Sequence, residues 1–400
     1  MPKRNVLVLT SAYPTVARPI KAVFVKEHAR TIALLNRVLV LYVQRVPLRR
    51  ILRIRSNRVW CVRDQVEDGI RTVRFEYVAP LVGRIPLLGD ILGLLLDTCA
   101  AFYVLARMRS EFTPDLIHAH FYKAGVVAAL LGKWLAVPVV VSEHYSGFSR
   151  EVIRGVQQRI ARFSLENATV VCPVSDALKE AIAGHGIRAT FRVVPNSVDP
   201  KVFSVGVDSG RMGGRRGKKR VLFVGSMEGK KGLPYLVEAL ALVAAKRTDF
   251  EAEMIGEGPE IARYKASVQR LGLRDAVRFS GVATRAEVAA AMRKCDFLVL
   301  PSEFETFGIV LIEAMACGKP VIATDVGGPK SIVSRDVGEL VPPRDVSALA
   351  RAIDRMLDCY SEYSPERIAL RAMARFGYSR VAQKWQEIYG EAGSLHRGDP

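Results

Sequence analysis

Two Rossmann-like α/β domains are the fold predicted by this 400-residue sequence. Three observations lead there. Short apolar runs that read as buried strands alternate with amphipathic helical stretches through both halves, the pattern of doubly wound parallel sheets. The length suits two domains with cores of their own, and 50% of the residues are hydrophobic. A glycine-rich, basic stretch, residues 204–219 (SVGVDSGRMGGRRGKK), separates the halves as a linker would. The expected layout is a first domain over residues 1–203, the linker 204–219, a second domain over 220–376, and a C-terminal helix and tail over 377–400.

In the first half, Val6 to Thr10 reads as a strand, Val23 to Leu35 as a helix and Val38 to Val43 as a second strand. An arginine-rich segment, Arg45 to Arg63, precedes a strand over Ile70 to Tyr77. Ala79 to Met108 is apolar almost all round but contains Asp90 and Asp97, which argues against a membrane span. An interfacial helix beside a basic patch, or a helix packed in the core, both fit it. Asp115 to His120 (DLIHAH) is a strand that places His118 and His120 on one face. Pro138 to Ser142 is the next strand, and Glu143 and His144 lie at its carboxyl end, where open α/β sheets bind ligands. They are candidates for contact with a sugar or an acceptor hydroxyl, or a hydrogen-bonded loop pair. Helices over 152–166 and 176–183 and a strand over 169–174 complete this half.

The second half starts with a strand at Arg220 to Val224, followed by Gly225-Ser226-Met227-Glu228-Gly229-Lys230-Lys231-Gly232. A strand over 250–255 ends in Gly256-Glu257-Gly258, a turn or phosphate-side loop. Val277 to Gly281 is a strand with Val282 just beyond it, and Arg285 to Lys294 a helix. The most informative run is Asp296 to Thr324, DFLVLPSEFETFGIVLIEAMACGKPVIAT. It reads as a strand, a polar loop, a helix over Phe307 to Cys317 with Thr306 as N-cap, then a further strand. The amides of Phe307, Gly308, Ile309 and Val310 thus present a helix N-terminus, which favours anions. Glu305 and Glu313 frame it, separated by roughly 12 Å at helical rise. Carboxylates repel a diphosphate but accept hydrogen bonds from hydroxyls, so a nucleotide sugar suits the pair; two solvated surface charges are the plainer alternative.

This run resembles the signature of the retaining glycosyltransferases of group 1, or family four: a Glu, seven residues, a second Glu, then Ala-Met-Ala-x-Gly-x-Pro-Val. In this chain it stands as Glu305-TFGIVLI-Glu313-AMACGKPVIA, followed by Gly327-Gly328 and by Gly338-ELVPPRD. The resemblance extends over nearly the whole chain. It implies the GT-B fold, two facing Rossmann-like domains with a cleft between them and a C-terminal helix crossing back to the first, against which Trp385 would pack. It implies donor binding mainly by the second domain, with Lys231 on the diphosphate and Gly256 and Val282 in neighbouring loops. Glu305 would orient the sugar, Glu313 would hold the ribose, and His120 would lie near the transferred sugar. Three positions depart from the family pattern: Ala22 and Ser197 stand where glycine is usual, and Ser226 where an arginine is usual. Ser226 removes one of two cations expected on the diphosphate; Lys230 is a nearby substitute.

Composition narrows the role. The net charge is +19, concentrated in residues 1–110, where 19 Lys and Arg face 7 Asp and Glu. Such a field attracts phospholipid headgroups or nucleic acid. Aromatics are not interleaved with the basic run and no nucleic-acid motif is present, so a nucleic-acid partner is not expected. The six cysteines are scattered without a C-x-x-C, which predicts reduced, buried thiols and no metal site. The N-terminus runs directly into a strand, so no secretory leader is expected. The expected activity is metal-independent retaining transfer, without a cofactor, from a UDP- or GDP-linked sugar to a glycan or polyprenyl-diphosphate-linked acceptor. The expected place is the cytoplasm, peripheral on the inner face of the membrane. A degenerate relative that binds a sugar or a partner without transfer is the competing expectation.

Overall fold

The computed structural model describes residues 3–15, 21–46, 60–78, 86–206 and 217–398. The middle of the arginine-rich segment (47–59), the start of the apolar segment (79–85), part of the loop after the first strand (16–20) and the centre of the linker (207–216) lie outside them. The chain forms two compact units.

The first unit runs β1 (Asn5–Thr10), α1 (Val23–Ala33), β2 (Arg37–Val46), β3 (Trp60–Glu67), β4 (Ile70–Val78), α2 (Pro86–Met108), β5 (Leu116–His120), α3 (Tyr122–Leu135), β6 (Val139–Glu143), α4 (Val156–Glu166), β7 (Val170–Pro173) and α5 (Asp176–Gly184). Its seven-stranded sheet has the order β3-β4-β2-β1-β5-β6-β7. The sheet is parallel except for β3, which pairs antiparallel with β4 across a tight turn at Asp68-Gly69. Both turn residues have positive φ, 49° and 81°, as a two-residue hairpin requires. The inner strands read as unbroken apolar runs because helices cover both faces.

The second unit runs β8 (Lys219–Val224), α6 (Leu233–Ala244), β9 (Phe250–Ile255), α7 (Ile261–Arg270), β10 (Val277–Gly281), α8 (Arg285–Lys294), β11 (Phe297–Leu300), α9 (Ile309–Ala316), β12 (Val321–Thr324), α10 (Pro329–Ile332), β13 (Gly338–Val341), α11 (Val346–Cys359), α12 (Pro365–Phe376) and α13 (Tyr378–Arg397). Its six strands are all parallel, in the order β10-β9-β8-β11-β12-β13. Leu236, Leu240, Phe250, Phe297, Ile353 and Met356 are among the residues of its core. From Val381 onward α13 belongs to the first unit, where Val381, Trp385, Ile388 and Tyr389 join the core of that sheet.

Four details differ from the sequence expectations. Strand β3 was not anticipated; its residues are mostly exposed and polar, so its alternation is faint. The helix α9 begins two residues late, capped by Gly308 at φ 97° rather than by Thr306; a left-handed residue there turns the chain into the helix without any side-chain cap. The apolar segment packs against the core on one side only. Leu94, Ala101, Val104 and Leu105 of α2 are buried, while Ile91, Leu92, Leu95, Leu96 and Tyr103 are exposed. Finally, Cys172, Cys295 and Cys317 are buried, but Cys61 and Cys99 are exposed.

Candidate active site

In the second unit, strands β8, β9 and β11 bring three loops together at their carboxyl ends. The β8 loop closes as a single 3-10 turn, Gly229–Lys231, with Gly232 beyond it at φ 72°. A Cβ on Gly232 would lie 1.8 Å from the Pro301 carbonyl oxygen, so only glycine lets this loop sit on the end of β11. The Glu303 amide donates to the Lys230 carbonyl at 2.9 Å and ties the same two loops. Gly256, at φ 140°, packs against the backbone of Gly225 where a Cβ would come within 1.9 Å. Lys231 is thereby aimed at the loop preceding α9, and its ammonium donates to the Glu305 carboxylate at 2.6 Å.

The Glu305–Phe307 backbone is held from below. The Gly328 amide donates to the Glu305 carbonyl at 3.0 Å. Gly327 and Gly328 pack so closely there that added Cβ atoms would lie 2.1 Å from the Glu305 carbonyl oxygen and 2.2 Å from Phe307 Cα. The first turn of α9 follows, with N–H groups that lack intrahelical acceptors. Glu313 sits on the second turn, buried to 8% exposure, with the Arg285 guanidinium 3.8 Å from its carboxylate. Arg285 itself lies over the Phe203 ring at 5.1 Å. Val282 is exposed just past β10. Thus Lys231, Glu305, Phe307, Gly308, Ile309, Val310 and Glu313 belong to one neighbourhood. Lys230, the cation next to Lys231, pairs with Glu228 at 2.6 Å.

The first unit treats its candidates differently. Both carboxylate oxygens of Glu143 accept backbone N–H groups, from Tyr122, His144 and Tyr145, each at 2.8 Å. Glu143 therefore fastens the start of α3 and its own loop, and burial pushes its carboxyl up to about 7 despite those donors. His118 is a fixed core group, bonded to the Tyr389 hydroxyl at 2.7 Å and the Ser142 hydroxyl at 2.8 Å. His120 is fully buried, and its Nδ1 lies 3.1 Å from His144 Nε2. Desolvation holds His118, His120 and His144 well below the ordinary histidine range, so they are neutral. His28, from α1, completes this cluster and carries no sequence signal of its own. Ala22 occupies the left-handed region at φ 51°, which explains why a glycine is usual there.

Comparison with known proteins agrees with this architecture. Residues 211–374 match the family described as "Glycosyl transferases group 1", and residues 58–202 match "Glycosyltransferase Family 4". A D-inositol 3-phosphate glycosyltransferase from Corynebacterium jeikeium is 30% identical over 332 residues, 74% of this chain and 77% of that protein. A 2-deoxystreptamine glucosyltransferase from Streptomyces kanamyceticus is 29% identical over 282 residues, 65% of this chain and 72% of the other. Among solved structures, the sucrose-phosphate synthase of Thermosynechococcus elongatus superposes with a TM-score of 0.75 at 22% identity, covering 97% of this chain and 99% of that one. Anabaena Alr3699/HepE in complex with UDP-glucose superposes with a TM-score of 0.72 at 23% identity and the same coverage. The chain belongs to the group 1 glycosyltransferase family and has the GT-B fold.

Proposed function

We propose that this glycosyltransferase moves a sugar, with retention, from a nucleoside-diphosphate donor to a hydroxyl of a glycan or lipid-linked acceptor. The observation that carries the proposal is the Lys231–Glu305 ion pair at the N-terminus of α9, with Glu313 on the next turn. Lys231 and the first amides of α9 are the groups that would take the charge developing on the departing diphosphate. Glu305 would accept hydroxyls of the sugar and Glu313 those of the ribose. The bond from the anomeric carbon to the diphosphate oxygen breaks, and one to the acceptor oxygen forms on the same face. The acceptor proton passes to the leaving phosphate. Because charge is met by Lys231 and backbone amides, we propose that turnover needs neither a metal ion nor another cofactor. UDP-glucose in the HepE structure makes UDP-sugars the first donors to try, with GDP-sugars as the alternative.

The acceptor is proposed to lie at an anionic membrane surface on the cytoplasmic face. The support is the exposed stripe of Ile91, Leu92, Leu95, Leu96 and Tyr103 along α2, on the more basic part of the chain. Gly89–Met108 is long and apolar enough to cross a bilayer, but half of that window is buried. Asp97 pairs with Arg45 and also accepts from the Tyr77 hydroxyl, and Asp90 pairs with Lys123 at 3.0 Å. Lying on a surface therefore suits α2 better than spanning it.

The test is a panel of UDP-, GDP- and ADP-sugars screened for protection against thermal unfolding, followed by transfer assays with the donor selected, with and without a chelator. Protection by one donor and transfer in the chelator are expected. Protection without transfer or donor hydrolysis would favour a sugar-binding protein, a reading that the loss of a cation at Ser226 supports. Strict dependence on a divalent ion would refute the metal-free mechanism.

A further inference from the structure

The loop that leads from β11 to Glu305 is fastened from several sides. The Ser302 carbonyl accepts from the Thr324 hydroxyl at the end of β12, at 2.5 Å. The Glu303 amide donates to the Lys230 carbonyl at 2.9 Å. A further tie comes from the edge of the sheet. Arg344, just beyond β13, donates through Nε and Nη2 to the Glu303 carboxylate, at 2.7 and 2.5 Å. Glu303 thus stands between the turn that aims Lys231 and an arginine two strands away. It lies two residues before the carboxylate that Lys231 meets.

Arg344 occupies a backbone position that suits it badly. Its φ is 62°, in the left-handed region. The turn Pro342-Pro343-Arg344-Asp345 carries a proline second and this left-handed residue third, where glycine or asparagine is the ordinary choice. The preceding proline fixes one side of the strained residue. Asp345 fixes the other, its carboxylate accepting the Ala348 N–H at 2.8 Å to cap α11. The ion pair offers little stability in return, because the arginine side chain is 60% exposed and water weakens such a bond. A strained residue held for a weak bond points to a role in placing its partner.

We propose that Arg344 is a positioning residue for donor binding: through Glu303 it fixes the loop before α9, so that Glu305 and the first amides of α9 stay aligned with Lys231. The inference rests on the donor reading above and extends it to a residue outside the groups assigned to the donor. Without the guanidinium the backbone ties remain, so the loop keeps its fold. The Glu303 side chain loses its anchor, however, and the loop samples a wider range of positions. A bound diphosphate must then narrow that range itself, which lowers affinity.

The experiment measures UDP and GDP binding by calorimetry, together with thermal unfolding, on the full-length chain. The variants are Arg344→Gly, Arg344→Asn, Glu303→Ala and Arg344→Gly/Glu303→Ala. Lys231→Met tests the donor reading itself. Arg371→Met, which removes an exposed ion pair with Asp336 in the same unit, is the control. The tighter of the two nucleotides should bind each single variant at 303 or 344 about two- to fivefold more weakly, the factor an exposed charge pair can carry. The double variant should be no weaker than the weaker single one, since both changes undo one contact. The control should bind like the unsubstituted protein. The melting temperature of Arg344→Gly should stay within about 4 °C of the unsubstituted value, because relief of left-handed strain offsets the lost pair and the added freedom of glycine. Unchanged binding by Arg344→Gly and Arg344→Asn, with Lys231→Met weakened, would overturn the clamp and leave the donor reading standing. Tighter binding by Glu303→Ala, or recovery in the double variant, would make Arg344 a mask for a repelling carboxylate and overturn the clamp as well. An equal loss in the control, or a larger fall in melting temperature, would reduce the effect to general destabilisation. Binding of neither nucleotide, or no loss in Lys231→Met, would sink the donor reading and the clamp with it.

Discussion

Replacing Lys231 by methionine keeps the length of the side chain and removes its charge, which separates two roles of the ammonium. The first is structural. The Lys231–Glu305 contact is 2.6 Å long, between side chains 21% and 12% exposed. A charge-assisted hydrogen bond of this kind contributes about 1.5–3 kcal/mol, and the remaining solvent access argues for the lower end. Lys231→Met and Glu305→Gln should therefore each lower stability by about 1–2 kcal/mol. The double variant should lose clearly less than the sum, because both single changes remove the same bond. The second role is catalytic. A fixed donor facing charge that develops in the transition state is worth about 10²–10³ in kcat. Lys231→Met should lose that much at saturating donor, while Lys231→Arg should recover part of it. Thermal unfolding and steady-state transfer, measured on the same preparations, read the two roles separately. A Lys231→Met protein with reduced stability but unchanged kcat would make Lys231 a tether for Glu305 and nothing more, and the proposed mechanism would fail.

Gly328→Ala puts a methyl group against the Phe307 backbone, at 2.2–2.6 Å from three of its atoms, and no side-chain rotation relieves that. The loop before α9 must shift, at about 1–3 kcal/mol, and donor affinity measured by calorimetry should fall by about tenfold or more; unchanged affinity would separate this loop from the donor. Ala22→Gly relieves a left-handed residue, worth about 1–2 kcal/mol, against the added chain entropy of glycine, about 0.5–1 kcal/mol. A net gain of roughly 0.5–1 kcal/mol in denaturant unfolding is expected from those two terms, and a loss of stability would contradict the assignment of strain. Leu92→Asp/Leu95→Asp changes two exposed side chains of α2 and should leave the fold intact. Binding to anionic vesicles should be salt-sensitive in the unsubstituted protein and largely lost in this variant; equal binding by both would exclude α2 as the contact.

What the sequence disclosed, and what it hid, divides along a physical line. Elements buried on both sides announced themselves: β11 and β12 are fully buried four-residue apolar runs, and α8, with its Thr284–Glu287 capping box, has the bounds its pattern implied. The hairpin strand β3 escaped because an edge strand exposed on most residues has no strong alternation, although Asp68-Gly69 was a legible turn signal. The candidate residues of the second unit were easy to pick out because most of them lie in two short stretches, around Lys231 and from Glu305 to Glu313. The partners that decide their chemistry were not. Arg285 reaches Glu313 from a different helix, and Gly328 reaches the Glu305 backbone from beyond the next strand. The gap at Ser226 shows the same limit most sharply. From sequence, Lys230 is as good a replacement cation as its neighbour, since the two are adjacent on one loop. In the structure the 3-10 turn sends the two side chains to different acids, Lys230 to Glu228 and Lys231 to Glu305. Both pairs have the same length, 2.6 Å, but the Lys230 pair is the more exposed and so the weaker tether. A bound diphosphate could draw Lys230 across only by outcompeting Glu228. Glu228→Gln should therefore strengthen donor binding if Lys230 is recruited and leave it unchanged if Lys231 and the α9 amides carry the charge alone, which is the outcome the present arrangement favours.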